Sequence, residues 1–178
     1  VRVSTSQVKD KVLYVSVANP PYGDRMAVIY DRVDILDLSG EIHYHMREAL
    51  NLSARIDVNT YGVEHQAEAW NLPPYQLALG ATYDLRGKLI LKGEAQFLGR
   101  RKAASYPSLN GDQTVAAADP TIHELDGFLD LYFGAEYRYT KRLSVFFDVS
   151  NLSASKYERW YQYPVQRTLF LGGASYAF

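Results

Sequence analysis

Side chains alternate in character along almost the whole chain, and this period of two restricts the possible folds more than any other feature. In Leu36–Met46 the even positions read Leu36, Leu38, Gly40, Ile42, Tyr44 and Met46, with Asp37, Ser39, Glu41, His43 and His45 between them. Leu50–Thr60 sets Leu50, Leu52, Ala54, Ile56 and Val58 against Asn51, Ser53, Arg55, Asp57 and Asn59. Tyr75–Leu85, Leu89–Phe97, Leu129–Tyr139 and Leu143–Val149 repeat the pattern. Successive side chains of a strand point to opposite faces, so each segment is predicted to be a strand with one apolar and one polar face. No helical period competes with it. A last strand at about Arg167–Phe178 and a weaker first one at about Val8–Ala18 bring the predicted count to eight.

The connections are of two kinds. Three are tight, around Arg47-Glu48, Arg86-Gly87 and Thr140-Lys141-Arg142, whereas Asn19–Asp31, Gly62–Pro74, Arg101–Asp126 and Ser153–Val165 are longer. The two kinds alternate. An up-and-down antiparallel sheet then gathers its short turns at one end and its long loops at the other, which is the layout of a transmembrane β-barrel. The final strand runs downward and brings Phe178 to the short-turn end. The predicted fold is therefore all-β: an up-and-down antiparallel transmembrane β-barrel wall of about eight strands, with residues 1–178 forming one unit.

Composition agrees once its averages are taken apart. The mean hydropathy of -0.25 mixes an apolar row with a polar row, and 47% of residues are hydrophobic with 15 tyrosines among them. The lack of a run of about 18 apolar residues excludes helical spans only. Most of the alternating segments carry about ten residues, the length a tilted strand needs to cross hydrocarbon. Tyr75, Tyr83, Tyr137, Tyr139, Tyr176 and Phe178 sit at the ends of the apolar rows, where an aromatic ring meets both lipid and water. With no cysteine, neither a disulfide framework nor a thiolate metal site is available, and a net charge of -1 lacks the broad basic footprint of a nucleic-acid binder. The polar row supplies Glu41, His43, His45, Arg55, Asp57, Lys92, Glu94, Asp130, Glu136, Arg138 and Asp148 to the interior. A soluble lipocalin-like ligand binder shows the same period with its apolar row turned inward, and stands as the alternative.

The last thirty residues are more specific. Asn151-Leu152, followed by Tyr157, resembles the Asn-Leu-x4-Tyr element that precedes the final strand of TonB-dependent outer-membrane receptors. Tyr163-Pro164-Val-Gln-Arg167 is similar to their approach to that strand, with Gln166 where the family has Gly. Gly173-x-x-Tyr176-x-Phe178 resembles the terminal signal read by the barrel assembly machinery, and Leu171 stands where a polar residue is usual. The resemblance implies a Gram-negative outer-membrane location, a role in nutrient uptake or in a surface complex, and the TonB system, the assembly machinery and outer-membrane lipid or lipopolysaccharide as partners. Receptors of this family have more strands and a plug domain, so the chain reads as the C-terminal strands of a larger barrel. A complete small eight-stranded structural or adhesive barrel is the other possibility.

The polar residues give no catalytic site. Glu41, His43 and His45 share a strand face, with His65 and His123 in loops, but no spacing completes a metal site. Ser144, Asp148 and Ser150 share another face without a histidine beside them. The expectation is a non-enzyme with no cofactor and no metal. Asn110-Gly111 is a turn signal inside the longest loop. Recognition would fall to the loops, where Trp70, Arg101, Trp160 and Tyr161 are the candidates. The tryptophans and Tyr161 serve equally as interface anchors.

Overall fold

The alternating segments pair so that their apolar rows stay in step. In the computed structural model, which describes residues 1–18, 21, 23–46, 49–107 and 119–178, the strands are β1 (Arg2–Val17), β2 (Arg25–Met46), β3 (Leu50–Val63), β4 (Tyr75–Leu85), β5 (Leu89–Leu98), β6 (Arg101–Tyr106), β7 (Thr121–Leu125), β8 (Phe128–Arg138), β9 (Leu143–Ser150), β10 (Glu158–Trp160), β11 (Tyr163–Pro164) and β12 (Leu169–Tyr176). The turn tip Arg47-Glu48 and the Asn110-Gly111 signal lie outside the described residues. Across β2 and β3, Leu38 faces Val58 and Tyr44 faces Leu52. Leu79 then faces Ala54 on one side and Ala95 on the other. Leu91 faces Ala135, Tyr137 faces Val145, and Tyr176 faces Leu143.

The large sheet runs β12-β9-β8-β5-β4-β3-β2-β1-β6-β7. Its eight predicted strands are β1, β2, β3, β4, β5, β8, β9 and β12, each beside its neighbour in sequence, so the up-and-down order read from the alternation holds. Among the described residues β12 and β1 do not pair with each other, and the sheet is an open wall. The apolar row of β2, β3, β4, β5, β8, β9 and β12 contains no charged residue from Leu36 to Tyr176. It is exposed: Ile42, Ile56, Leu79, Leu129 and Phe147 all present their side chains outward. A lipocalin-like barrel would bury this row as its core, so that alternative is set aside. Tyr75 stacks on Phe97 at the long-loop end of the row, with ring centroids 5.8 Å apart. Tyr44, Tyr83, Tyr137, Tyr139 and Tyr176 mark the other end.

Three boundaries differ from the sequence expectation. β2 starts at Arg25, so the stretch 25–31 of the predicted loop Asn19–Asp31 is strand. The upper half of β2 has apolar residues on both faces (Met26, Val28 and Tyr30 on one, Ala27, Ile29 and Val33 on the other), and a period of two has nothing to register there. β1 reads weakly because its register shifts between Val8 and Lys11. The bulge makes two residues oppose one, so even positions face inward before it and odd positions after it. The long connection Arg101–Asp126 is also not a plain loop. It carries the hairpin β6–β7, and β6 pairs in parallel with the top of β1 through Ser16–Ser105 and Val17–Tyr106.

The buried core is small and lies at the long-loop end. Leu13, Val15, Val17, Ile29, Trp70, Ala104 and Tyr106 pack together there, with Ala27 and Leu72 against them. Leu13 pairs with Ile29, and Ile29 shares the face of Asp37 and Glu41, so the loops fold over the polar side of the sheet. The face they cover is the inside of the wall.

Candidate functional site: the loop end

Asp31 fixes the first of these loops. It is 3% exposed and points inward from β2, where backbone N–H groups of Arg32 (2.8 Å), His65 and Gln66 (2.9 Å) donate to its carboxylate. His65 Nδ1 lies 2.8 Å away. Burial pushes the Asp31 pKa up, but the hydrogen bonds from the His65 side chain and from the three amides outweigh it and hold the carboxyl below its ordinary value. The anchored loop then places Gln66, whose Oε1 accepts from Trp70 Nε1 and Tyr106 Oη, both at 3.1 Å. Asn71, in the left-handed region at φ 61°, donates its backbone N–H to Lys102 O (2.7 Å) and its side-chain amide to Tyr14 O (2.7 Å).

Trp70 is therefore not a recognition residue on a loop surface, nor an interface anchor. It is 1% exposed and fills the core between β1, β2 and β6. Arg101 is corrected in the same way. It is 5% exposed, donates through Nη1 to Arg159 O and through Nη2 to Glu158 O at 2.8 Å each, and lies 5.4 Å from the centroid of Phe128. Burial and the nearby Arg159 charge lower its pKa. The two carbonyls hold the guanidinium under β10 and keep it off the loop surface, while its buried Nε–H has no partner among the described residues.

The Asn-Leu-x4-Tyr element has a local cause. Asn151 is 4% exposed and adopts φ 48°, a conformation Asn tolerates better than most residues. Its side-chain amide donates to Ser155 O (3.0 Å) and Gln166 O (3.1 Å), joining the two ends of the final loop, while Thr168 Oγ1 donates to its carbonyl at 2.9 Å. Tyr157 stacks on Phe128 with centroids 3.7 Å apart and donates its hydroxyl to Asp130 Oδ2 at 2.9 Å. Burial first and that carboxylate second push the Tyr157 pKa up to about 12. Leu152 and Arg167 are exposed.

Trp160 and Tyr161 remain half-exposed at the rim. Trp160 meets Tyr14 edge-on at 5.9 Å, and Tyr161 stacks on His123 at 3.9 Å. The histidines considered for metal are thereby separated. His65 is on Asp31, His123 is on Tyr161, His43 Nε2 contacts Glu41 Oε1 at 2.7 Å, and His45 contacts Asn51. Asp148, grouped with Ser144 and Ser150, accepts the Tyr132 hydroxyl at 2.6 Å. Of the C-terminal signal, Gly173 is explained by its neighbour, since a Cβ there would lie 2.7 Å from Cζ of Phe146. Tyr176 and Phe178 meet edge to face at 5.3 Å.

Sequence inspection did not single out Asp31, Gln66 or Phe128, and nothing in the local pattern marks them; each acquires its role from a partner more than twenty residues away.

No protein-family model and no curated protein matches the chain. Solved structures match its fold. The pyoverdine outer-membrane receptor FpvA from Pseudomonas aeruginosa PAO1 aligns with 99% of the chain at a TM-score of 0.71 and 15% identity. The siderophore receptor PirA from Acinetobacter baumannii aligns with 99% at 0.69 and 12%, and the copper transporter OprC with 99% at 0.68 and 14%. The chain spans only 26%, 29% and 28% of these three proteins. The likeness to TonB-dependent outer-membrane receptors first read from the last two strands thus extends over the backbone of nearly the whole chain, which has the fold of the barrel wall of such receptors.

Proposed function

We propose that the chain is a C-terminal stretch of the barrel wall of a TonB-dependent receptor in the outer membrane of a Gram-negative bacterium, acting in nutrient uptake and carrying no catalytic activity. The observation that supports this reading best is the outer row, free of charge from Leu36 to Tyr176 and in register through seven strands, opposite a row of polar and charged residues. A wall of this kind suits hydrocarbon on one side and a hydrated lumen on the other. FpvA is a pyoverdine receptor and OprC a copper transporter, which favours a metal ion or metal-carrying small molecule as the class of cargo. Residues 1–178 act as one unit. Trp160 and Tyr161 are the side chains offered for recognition, with lipopolysaccharide beside Tyr75 and Phe97 at the long-loop end of the outer row. Gly173, Tyr176 and Phe178 serve the assembly machinery, and TonB couples uptake to energy.

The reading is tested by fractionation. The protein is expected to stay with outer membranes through high-salt and carbonate washes, to need detergent for release, and to migrate at a different apparent mass before and after boiling. A protein that remains monomeric and dispersed in plain buffer contradicts it.

A further inference from the structure

At the short-turn end, opposite the loops, lies a cleft of about 620 Å³ whose charged lining residues are the cations Lys88, Arg138, Lys141 and Arg142 and the single acid Glu136. Lys88 follows the β4–β5 turn, Lys141 and Arg142 form the β8–β9 turn, and Arg138 and Glu136 rise from the floor on β8. The one carboxylate is already committed, with Glu136 Oε1 at 3.1 Å from Arg138 Nε. Among the described residues Lys88, Lys141 and Arg142 have no ion-pair partner. The neighbouring Arg86 adds a fourth exposed cation to the same end.

The cleft is framed by backbone. Arg138 N–H donates to Lys88 O at 2.8 Å, tying the floor to one turn, and Ala177 N–H donates to Arg142 O at 2.8 Å, tying the other turn to the end of β12. Thr140 Oγ1 accepts from the N–H groups of Arg142 (3.2 Å) and Leu143 (3.0 Å), which sets the shape of the second turn. Ser144 and Ser175 supply hydroxyls between the charges. Cations from two separate turns thus stand over a floor that carries the Ser144 and Ser175 hydroxyls.

We propose that this cleft docks an acidic protein segment, a short run of Asp and Glu side chains, arriving from the compartment that faces the short turns. The inference rests on the membrane reading for its direction. Tyr139 and Leu143 of the lining continue the outer row, whereas Glu136, Arg138, Ser144 and Ser175 belong by register to the opposite face, so the floor that carries Arg138 and the hydroxyls faces the lumen mouth. Cations arranged over a complementary anionic segment steer encounter and fix its register.

The test uses the full chain in detergent micelles, with a dye-labelled peptide of eight glutamates read by fluorescence anisotropy and an eight-glutamine peptide as control. The glutamate peptide is expected to bind and the glutamine peptide to fail. Affinity should fall about tenfold or more as salt rises and the Debye length shrinks from about 10 Å to about 3 Å. The combined substitution Lys88→Gln, Lys141→Gln and Arg142→Gln should weaken binding about tenfold or more, the sum of three exposed ion pairs. A charge-matched control, Lys9→Gln, Arg25→Gln and Lys156→Gln, should stay within about twofold. Binding by the cleft variant equal to the parent's overturns the proposal. So does displacement of the peptide by inorganic phosphate at equal charge, which makes the cleft a general anion site, or by anionic phospholipid in mixed micelles, which makes it a headgroup site. Unboiled gel migration separates the two levels. A chain that migrates as a barrel and ignores the peptide keeps the membrane reading and loses this one. A chain dispersed in plain buffer that still binds through the cleft does the reverse.

Discussion

Leu79 lies at the centre of the outer row of β4, 44% exposed, with Ala54 and Ala95 as its cross-strand neighbours. Gln96 is one position away on β5 and at nearly the same height, but faces the other side, opposite Asp130. Arginine at these two sites meets the same barrel in different solvents. At Leu79 it enters hydrocarbon near the midplane, at a cost of about 2–4 kcal/mol, equivalent to roughly 30- to 900-fold in the folding equilibrium. At Gln96 it meets water and the Asp130 carboxylate, and the change should stay within about 0.5 kcal/mol. Tyr83→Arg, four residues down the outer row toward the short turn, should cost about 0–1 kcal/mol because the side chain reaches the interface. Urea unfolding from phospholipid vesicles, followed by the fluorescence of Trp70 and Trp160, measures all three. The reasoning is refuted if Leu79→Arg is neutral, or if the three substitutions cost the same, since neither fits a row immersed in lipid with depth-dependent cost.

Other consequences follow from the loop end and the last strand. Asn151→Ala removes two hydrogen bonds that close the final loop and should cost about 1–3 kcal/mol. Proteolysis within residues 152–168 should accelerate accordingly, and Asn151→Gly, which keeps the left-handed backbone, should show the same loss of protection. Gly173→Ala forces a Cβ to within 2.7 Å of the Phe146 ring and should destabilise the parent but much less a Phe146→Leu background, whereas Gly172→Ala, with its nearest contact at 3.6 Å, should be tolerated in both. The Asp31 carboxyl is held below its ordinary value, so its contribution is fully present above the unfolded pKa of about 3.9 and is lost as pH falls through the lower folded value. Hydrogen exchange over residues 64–74 should quicken below that range, and in Asp31→Asn it should be fast at neutral pH.

The parts legible in sequence were those governed by one local rule. From Leu36 onward the two faces of each long strand differ in polarity, and the alternation records them. The rule fails wherever apolar residues fall on both faces. Met26, Val28 and Tyr30 are as apolar as Ala27, Ile29 and Val33, which hid the upper half of β2. In β1 the bulge between Val8 and Lys11 reverses the parity, so a strand of 16 residues shows only a weak alternation, read at about Val8–Ala18. At the loop end, residue type suggested exposure for Trp70 and Arg101, but burial there is decided by loops folding inward over Leu13, Val15 and Ile29. No neighbour in sequence reports that fold. Asn151 and Tyr157 were visible as a motif, and the structure supplies their physical roles: one closes a loop, and the other stacks that loop on Phe128.

The central claim is that one face of this wall meets lipid and the other meets water. With no cysteine in the chain, a thiol can be placed singly at Gln76, Leu77, Ala78, Leu79, Ala81 and Thr82 and given a nitroxide label in the membrane-embedded protein. Collision with dissolved oxygen, which concentrates in hydrocarbon, is expected to peak at Leu77, Leu79 and Ala81. Collision with a water-soluble nickel chelate should peak at Gln76, Ala78 and Thr82. Accessibility without a period of two, or with the nickel chelate favouring Leu77, Leu79 and Ala81, would contradict the assignment of the two faces.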